Sequence, residues 1–279
     1  MVDAILLILR EVLEAALIIT MLLAMSRKLS ISFNWIVPAL VLGVLSSWLL
    51  AHYAYAIADA LDGTGQEWIN ALLYLSVILS FIIIGLIIAP LLFSASLQEK
   101  YLSFTDNSIK PHKTLLLVCS IFAVGLSLAR EVAEIWIYLG GFLHQQDLLQ
   151  SALTGGAIGL GIGMSLGVIT YYLLVFISVR RFFIVLFVFL IFLCGGLSMQ
   201  IARQLLQIGM LTSATPLWDS STIVNEHSWL GELLYALIGY DSSPNAIQVI
   251  FYWIAIIPFL VALAWNWHRR NQASSTTSI

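Results

Sequence analysis

One short charged pattern occurs twice inside hydrophobic stretches of this chain. Residues 10–14 read Arg-Glu-Val-Leu-Glu, and residues 130–134 read Arg-Glu-Val-Ala-Glu. A charge near the centre of a bilayer costs at least about 2.5–3.5 kcal/mol, so six such charges need partners or a function. Glutamates three positions apart lie on one face of a helix. Two such helices facing each other would present four carboxylates to one point, which predicts a buried cation site.

The amino-acid composition indicates whether the chain folds in water or in a membrane. Hydrophobic residues make up 61% of the 279 positions and charged residues 10%, with a mean hydropathy of +0.98. Soluble domains are about half apolar and a quarter charged, so the sequence predicts an all-α, multi-pass integral protein of the cytoplasmic (inner or plasma) membrane. We expect lipid as its surroundings and no nucleic acid as a partner. Cys119 and Cys194 lie in separate apolar segments and give no disulfide framework.

Seven segments are apolar for long enough to cross a bilayer, at about twenty residues each. The predicted spans are 3–25, 34–57, 69–93, 115–142, 153–178, 182–204 and 246–267. Lys and Arg concentrate in the loops after the first, third, fifth and seventh spans, whereas the other loops are acidic. The positive-inside rule therefore predicts an N-terminus outside and a C-terminus in the cytoplasm.

Two parts of the chain repeat the same arrangement. The span after each charged pattern carries small residues every four positions, a spacing that lets helix backbones approach closely. These residues are Ala39, Gly43, Ser47 and Ala51 in one span, and Gly155, Gly159, Gly163 and Gly167 in the other. Three spans per half make the halves antiparallel, so we expect an inverted repeat with its site near the bilayer midplane. The predicted divisions of the single membrane domain 1–279 are repeat 1 at 1–95, repeat 2 at 113–208, an outer segment at 209–245, helix 7 at 246–268 and a cytoplasmic tail at 269–279.

The chemistry of the ligands limits the cation. Carboxylates without imidazole or thiolate favour hard ions, so ferric iron, magnesium, calcium and manganese all fit. A purely structural role is a further interpretation, because each arginine can pair with the glutamate four positions on. A di-iron redox centre is another alternative. Bundle sites of that kind use Glu-x-x-His, whereas both patterns here end in Glu.

The paired patterns, the seven spans and the segment before the last span resemble the oxidase-dependent iron permeases, which include the fungal high-affinity and the bacterial Efe-type iron permeases. The residues of that segment which carry the likeness are Leu217–Ser221, Glu226–Ser228, Gly231, Leu237–Tyr240 and Pro244. The family usually has glycine after the first glutamate, where this chain has Val12 and Val132.

The resemblance implies iron uptake, as Fe³⁺, by a permease that is not an enzyme and holds no prosthetic group. Iron would be the transported ion, and an extracytoplasmic protein would oxidise or deliver it. By position, the metal-binding residues would be Glu11, Glu14, Glu131 and Glu134, supported by Arg10 and Arg130. Another hard or heavy metal cation stays open as the cargo.

Acidic side chains in the predicted outer loops are candidates for cation access or for docking of a donor protein. They are Asp59 and Asp62 after the second span, and Asp219, Glu226 and His227 in the outer segment. The alternative interpretation of the outer segment is a solvated loop with an interfacial helix, whose Trp and Tyr side chains lie among the headgroups.

Overall fold

A computed structural model describes residues 2–93, 110–142, 145–212, 215–225 and 228–276. Regular structure in this part of the chain is helical, apart from a single bridge between Pro216 and Asn245. The helices are α1 (Val2–Lys28), α2 (Ile36–His52), α3 (Ala54–Gly63), α4 (Gly65–Leu92), α5 (Lys110–Gly140), α6 (Gln146–Phe176), α7 (Val179–Gln207), α8 (Trp229–Ile238) and α9 (Ala246–Thr276). A helix satisfies its own backbone hydrogen bonds, which lipid cannot do, so apolar segments of this length fold as helices.

Six of these helices are long and apolar enough to cross a membrane: α2 with the 3₁₀ turn before it, α4, α5, α6, α7 and α9. The prediction of an all-helical, multi-pass fold is therefore confirmed. Helix α1 has 27 residues, about 40 Å of helix, but carries Arg10, Glu11 and Glu14 along its middle. Its role as a seventh span stays a prediction.

Several helix ends differ from the predicted spans. The predicted second span, 34–57, is divided at Tyr53 into α2 and α3. Helix α3 is itself kinked, because Leu61 and Asp62 have positive φ angles of 53° and 59°. The chain then turns tightly into α4, since a Cβ atom on Gly65 would lie 2.0 Å from the Ile57 carbonyl oxygen. At the other end of the chain, α9 continues through the predicted tail to Thr276. Hydropathy marks the part of a helix that lipid surrounds, and a helix can extend beyond it.

The helices that carry the charged patterns pack against the predicted other half of the chain. Helix α1 packs mainly against α6, and α5 packs mainly against α2. Small residues make both contacts close: a Cβ on Gly159 would lie 2.7 Å from the Ile5 carbonyl oxygen, and one on Gly43 would lie 2.7 Å from Leu128 Cβ. Helices α4 and α7 pack against each other, and α9 covers both. The small-residue ladders thus position α1 and α5.

The short helix α8 lies deeper than its place in the outer segment suggests. It packs against α1 and α7, and Gly239 ends it with a φ of +68°. A Cβ on Gly196 would lie 2.8 Å from Gly239 Cα. Gly196 is about 16 Å along α7 from the end of that helix at Gln207. The C-terminal end of α8 therefore reaches the middle of a long apolar helix.

The hydrophobic core fills one end of the bundle. It lies between the C-terminal halves of α1 and α4 and the N-terminal halves of α5 and α7. Large side chains with almost no exposed surface occupy it, among them Leu22, Phe81, Ile84 and Phe183. This packing closes the end of the bundle at which α1 finishes in Arg27 and Lys28.

Candidate metal centre

Three of the four predicted glutamates converge between α1 and α5. One carboxylate oxygen from each of Glu11, Glu131 and Glu134 lies within 4.8 Å of the others, which is close enough for one metal ion to contact all three. Glu11 and Glu131 are each only 2% exposed. Glu131 and Glu134 share a face of α5 because three residues make nearly one helical turn. We call these three residues the glutamate triad.

Arg130 connects the fourth glutamate to the triad. Its guanidinium donates to Glu134 Oε1 at 2.8 Å and, across the helix interface, to Glu14 Oε2 at 2.9 Å. It also contacts Glu131. The Arg130 side chain is buried and lies over the ring of Tyr74, 4.8 Å from its centroid. One guanidinium therefore balances carboxylates from both helices.

Arg10 lies on the other side of the α1 glutamates. Its Nε atom is 3.6 Å from Glu11 Oε1 and 3.5 Å from Glu14 Oε1, and its guanidinium lies 4.5 Å from the ring centroid of Tyr235 on α8. Four carboxylates and two guanidiniums give the cluster a formal charge of −2. One buried oxygen of each of Glu11, Glu14 and Glu131 accepts no hydrogen bond from the described residues. An unbalanced, buried set of oxygen ligands can bind a hard multivalent cation.

Two cavities adjoin this cluster on opposite sides. A cleft of about 350 Å³ lies toward the N-terminal end of α1, where Glu134 and Arg130 line it together with Leu7, Gln66 and Tyr138. A much smaller cavity of about 40 Å³ lies on the other side, deeper along α1, and Glu14, Glu131 and again Arg130 line it. We call these the outer cleft and the inner cavity. Carboxylates of the cluster are thus accessible from both.

The other predicted site residues lie apart from the triad. Asp59 and Asp62 are exposed on the kinked helix α3, whose Ala54 and Ile57 line the outer cleft. Asp219 is exposed, and hydrogen bonds from Ser221 lower the pKa of its carboxyl group. Glu226 and His227 lie outside the described residues. The access or docking roles of these five residues stay predictions.

Sequence reasoning missed four polar residues that surround the inner cavity: Tyr74, Ser127, Gln200 and Tyr235. Gln200 contacts the Tyr235 hydroxyl, so α7 and α8 are joined beside the cluster. An amide within the apolar stretch 182–202 was a usable signal for Gln200, as was a serine one turn before Arg130 for Ser127. Tyr235 gave no such signal, because aromatic residues in short amphipathic helices usually lie at the membrane surface.

Comparison with known proteins gives consistent matches. The profile of the Iron permease FTR1 family matches residues 114–267, which is more than half of the chain. The Ferrous iron permease EfeU of Shigella flexneri is 29% identical over 155 residues, which cover 55% of this chain and 63% of that protein. The Putative inactive ferrous iron permease EfeU of Escherichia coli K12 is also 29% identical over 155 residues, with 54% of that protein covered.

The match therefore spans less than two thirds of the length of these curated relatives. No solved structure matches the chain.

Proposed function

Because the chain belongs to the Iron permease FTR1 family, a family of transporters, we propose that it moves iron across the membrane and into the cytoplasm. It is an integral multi-pass protein of the cell membrane. The observation that carries the proposal is the glutamate triad, which offers three oxygen ligands to one ion between the outer cleft and the inner cavity. The cation enters through the outer cleft, binds the triad and leaves toward the closed end of the bundle.

The packing of the helices supports the proposed inverted repeat. In an inverted repeat α1 corresponds to α5, α2 to α6 and α4 to α7. The α1–α6 contact then corresponds to the α5–α2 contact, and the α4–α7 and α1–α5 contacts each correspond to themselves. All four contacts are present. With the N-terminus outside, the outer cleft faces the cell exterior and the packed core faces the cytoplasm. This arrangement corresponds to a transporter that is open to the outside.

The formal charge of the cluster favours one oxidation state of the transported iron. The sequence resemblance implies Fe³⁺, whereas the names of the matched relatives specify ferrous iron. One divalent ion neutralises the formal charge of −2 that remains while both arginines are in place. We propose Fe²⁺ as the ion that this arrangement of the cluster accepts. An extracytoplasmic protein that delivers iron stays a prediction.

Uptake by membrane vesicles tests the proposal. Right-side-out vesicles from cells that express the chain should accumulate radiolabelled iron supplied as Fe²⁺ under reducing conditions, and should accumulate it faster than Fe³⁺. Uptake of Mg²⁺, Ca²⁺ and Mn²⁺ is measured in parallel, because the same oxygen ligands suit these ions. Vesicles from cells without the chain provide the control. Equal accumulation in both preparations would overturn the iron permease function, and faster uptake of Mn²⁺ or Ca²⁺ would assign another hard cation as the cargo.

Cysteine labelling tests the orientation. Gln145 and Ser178 are exposed at opposite ends of α6, and the native Cys119 and Cys194 are buried. A membrane-impermeant maleimide added to intact cells should label a Gln145→Cys variant and leave a Ser178→Cys variant unlabelled until the cells are opened. The parent chain should stay unlabelled in both conditions. The reverse pattern would place the N-terminus in the cytoplasm.

A further inference from the structure

The inner cavity is small, is lined by both polar and apolar side chains, and lies between five helices. Helices α1, α4, α5, α7 and α8 all contribute to its lining. Its volume of about 40 Å³ is enough for one ion with about one or two water molecules. The close contact of Gly196 with Gly239 brings α8 against its α7 wall. A hydrated ion therefore has to lose most of its water shell to fit there.

Two hydroxyl groups in this cavity, those of Ser127 and Tyr74, lack the partners that similar groups have elsewhere in the fold. Helical serines in this chain commonly donate to the carbonyl four residues back, as Ser120 does to Leu116 at 2.8 Å. Ser127 lies two turns further along the same helix, is 7% exposed, and makes no hydrogen bond to another described residue. The Tyr74 hydroxyl, also in the lining, likewise has no such partner. These oxygen atoms are available to a ligand.

The carboxylates beside the hydroxyls complete a set of hard ligands. Glu14 and Glu131 line the cavity together with Arg130, which pairs with one oxygen of each. The other oxygen of each carboxylate is buried and accepts no hydrogen bond from the described residues. Gln200 adds an amide group next to Tyr235. Carboxylate, hydroxyl and amide oxygens are ligands for hard cations and can replace part of a hydration shell. Glu131 belongs both to this set and to the glutamate triad.

We propose that the inner cavity is a second cation position, which an iron ion occupies after it leaves the glutamate triad. Glu131 passes the ion from one position to the other, because its carboxylate borders both. Ser127, Tyr74 and Gln200 replace water molecules that the ion loses on the way. The two positions are occupied in turn, since the formal charge of −2 balances one divalent ion and leaves a second one uncompensated. This inference rests on the proposed iron transport and adds a transit step to it.

A substitution that fills the inner cavity with a larger side chain should slow iron transport without changing iron binding to the triad. The Ser127→Leu variant should bind Fe²⁺ with the parental Kd in anaerobic equilibrium dialysis of the purified protein, because the triad is intact. Its vesicles should take up iron at least about 100-fold more slowly, because the transit position is blocked. The milder Ser127→Ala variant should also keep the parental Kd and should slow uptake about tenfold, which is the effect of one lost neutral ligand.

The matched control is Ser120→Ala, which removes a hydroxyl from the same helix away from the cavity and should change neither quantity. Parental uptake by Ser127→Leu would overturn the second position and leave the iron permease function standing. Loss of Fe²⁺ binding by Ser127→Leu would also overturn it, because the cavity and the triad would then be one site. A parent chain that neither binds nor transports iron would overturn both proposals.

Discussion

The Glu11→Gln variant should lose iron uptake and yet unfold at a higher temperature than the parent when no metal is bound. Glu11 is 2% exposed, one of its oxygens accepts no hydrogen bond from the described residues, and Arg10 is 3.6 Å away and shared with Glu14. A buried charge with such incomplete pairing destabilises a fold, and a neutral amide of the same shape removes that cost. In the proposed function the same charge helps to bind the cation.

We expect uptake to fall at least about 100-fold, equivalent to about 2.7 kcal/mol. The unfolding midpoint of the metal-free protein in detergent should rise by about 2–4 °C, which corresponds to about 1 kcal/mol in a chain of this size. Vesicle uptake and a thermal melt with chelator present measure the two effects. The Asp147→Asn variant is the control, because Asp147 is an exposed acid in the first turn of α6. It should leave uptake unchanged and should not raise the midpoint, since an acid at a helix N-terminus is stabilising. A variant that loses both uptake and stability would indicate that Glu11 forms a structural ion pair.

The second large effect is expected at Gly159, where the backbones of α6 and α1 touch. A Cβ atom there would lie 2.7 Å from the Ile5 carbonyl oxygen and 3.0 Å from the Leu9 amide nitrogen. Both are backbone atoms, so a side chain cannot be accommodated by a change of rotamer, and α1 has to move. The Gly159→Val variant should therefore lose about 1–3 kcal/mol of stability and most of its iron uptake, since α1 carries Glu11 and Glu14.

Gly161 on the same helix gives a matched comparison. A Cβ atom at Gly161 would meet nothing within 4 Å, so Gly161→Val introduces the same β-branched residue into α6 without a clash. Thermal unfolding of the purified variants and vesicle uptake per folded protein should separate the two substitutions. If both variants behave alike, the effect comes from the helix propensity of valine, and the close packing of α6 on α1 does not hold the metal centre in place.

The main helices and the meeting of the two charged patterns could be predicted from sequence because lipid leaves few alternatives. Apolar segments of about twenty residues must be helical, and charges inside them must find partners. The i, i+4 pairing of Arg130 with Glu134, at 2.8 Å, follows from helix geometry alone. The small residues every four positions also predicted close helix contacts, although the sequence did not specify which helix each of these faces would contact.

The remaining features depend on contacts between distant parts of the chain. Arg130 donates to Glu14, which is 116 residues away, and spacing along one helix cannot reveal that bond. Tyr235 reaches Arg10 only because α8 packs deeply against α1 and α7. A ten-residue amphipathic helix has the same hydrophobic pattern at a membrane surface as it has between other helices. The predicted span 34–57 likewise gave no sign of the break at Tyr53, and no sequence signal indicated the positive φ angles at Leu61 and Asp62.

The packing of α1 against α6, and of α5 against α2, also has a consequence for biosynthesis. Helix α1 is synthesised before Arg130, which balances Glu14 and follows 116 residues later, and before α6, which follows later still. At about 5–20 residues per second, the charges of α1 wait for roughly 6–23 s before their partner is made. During that interval Arg10 can pair with Glu14, one helical turn away, and with Glu11. The insertion machinery therefore has to hold the charged helix α1 until α5 and α6 have been synthesised.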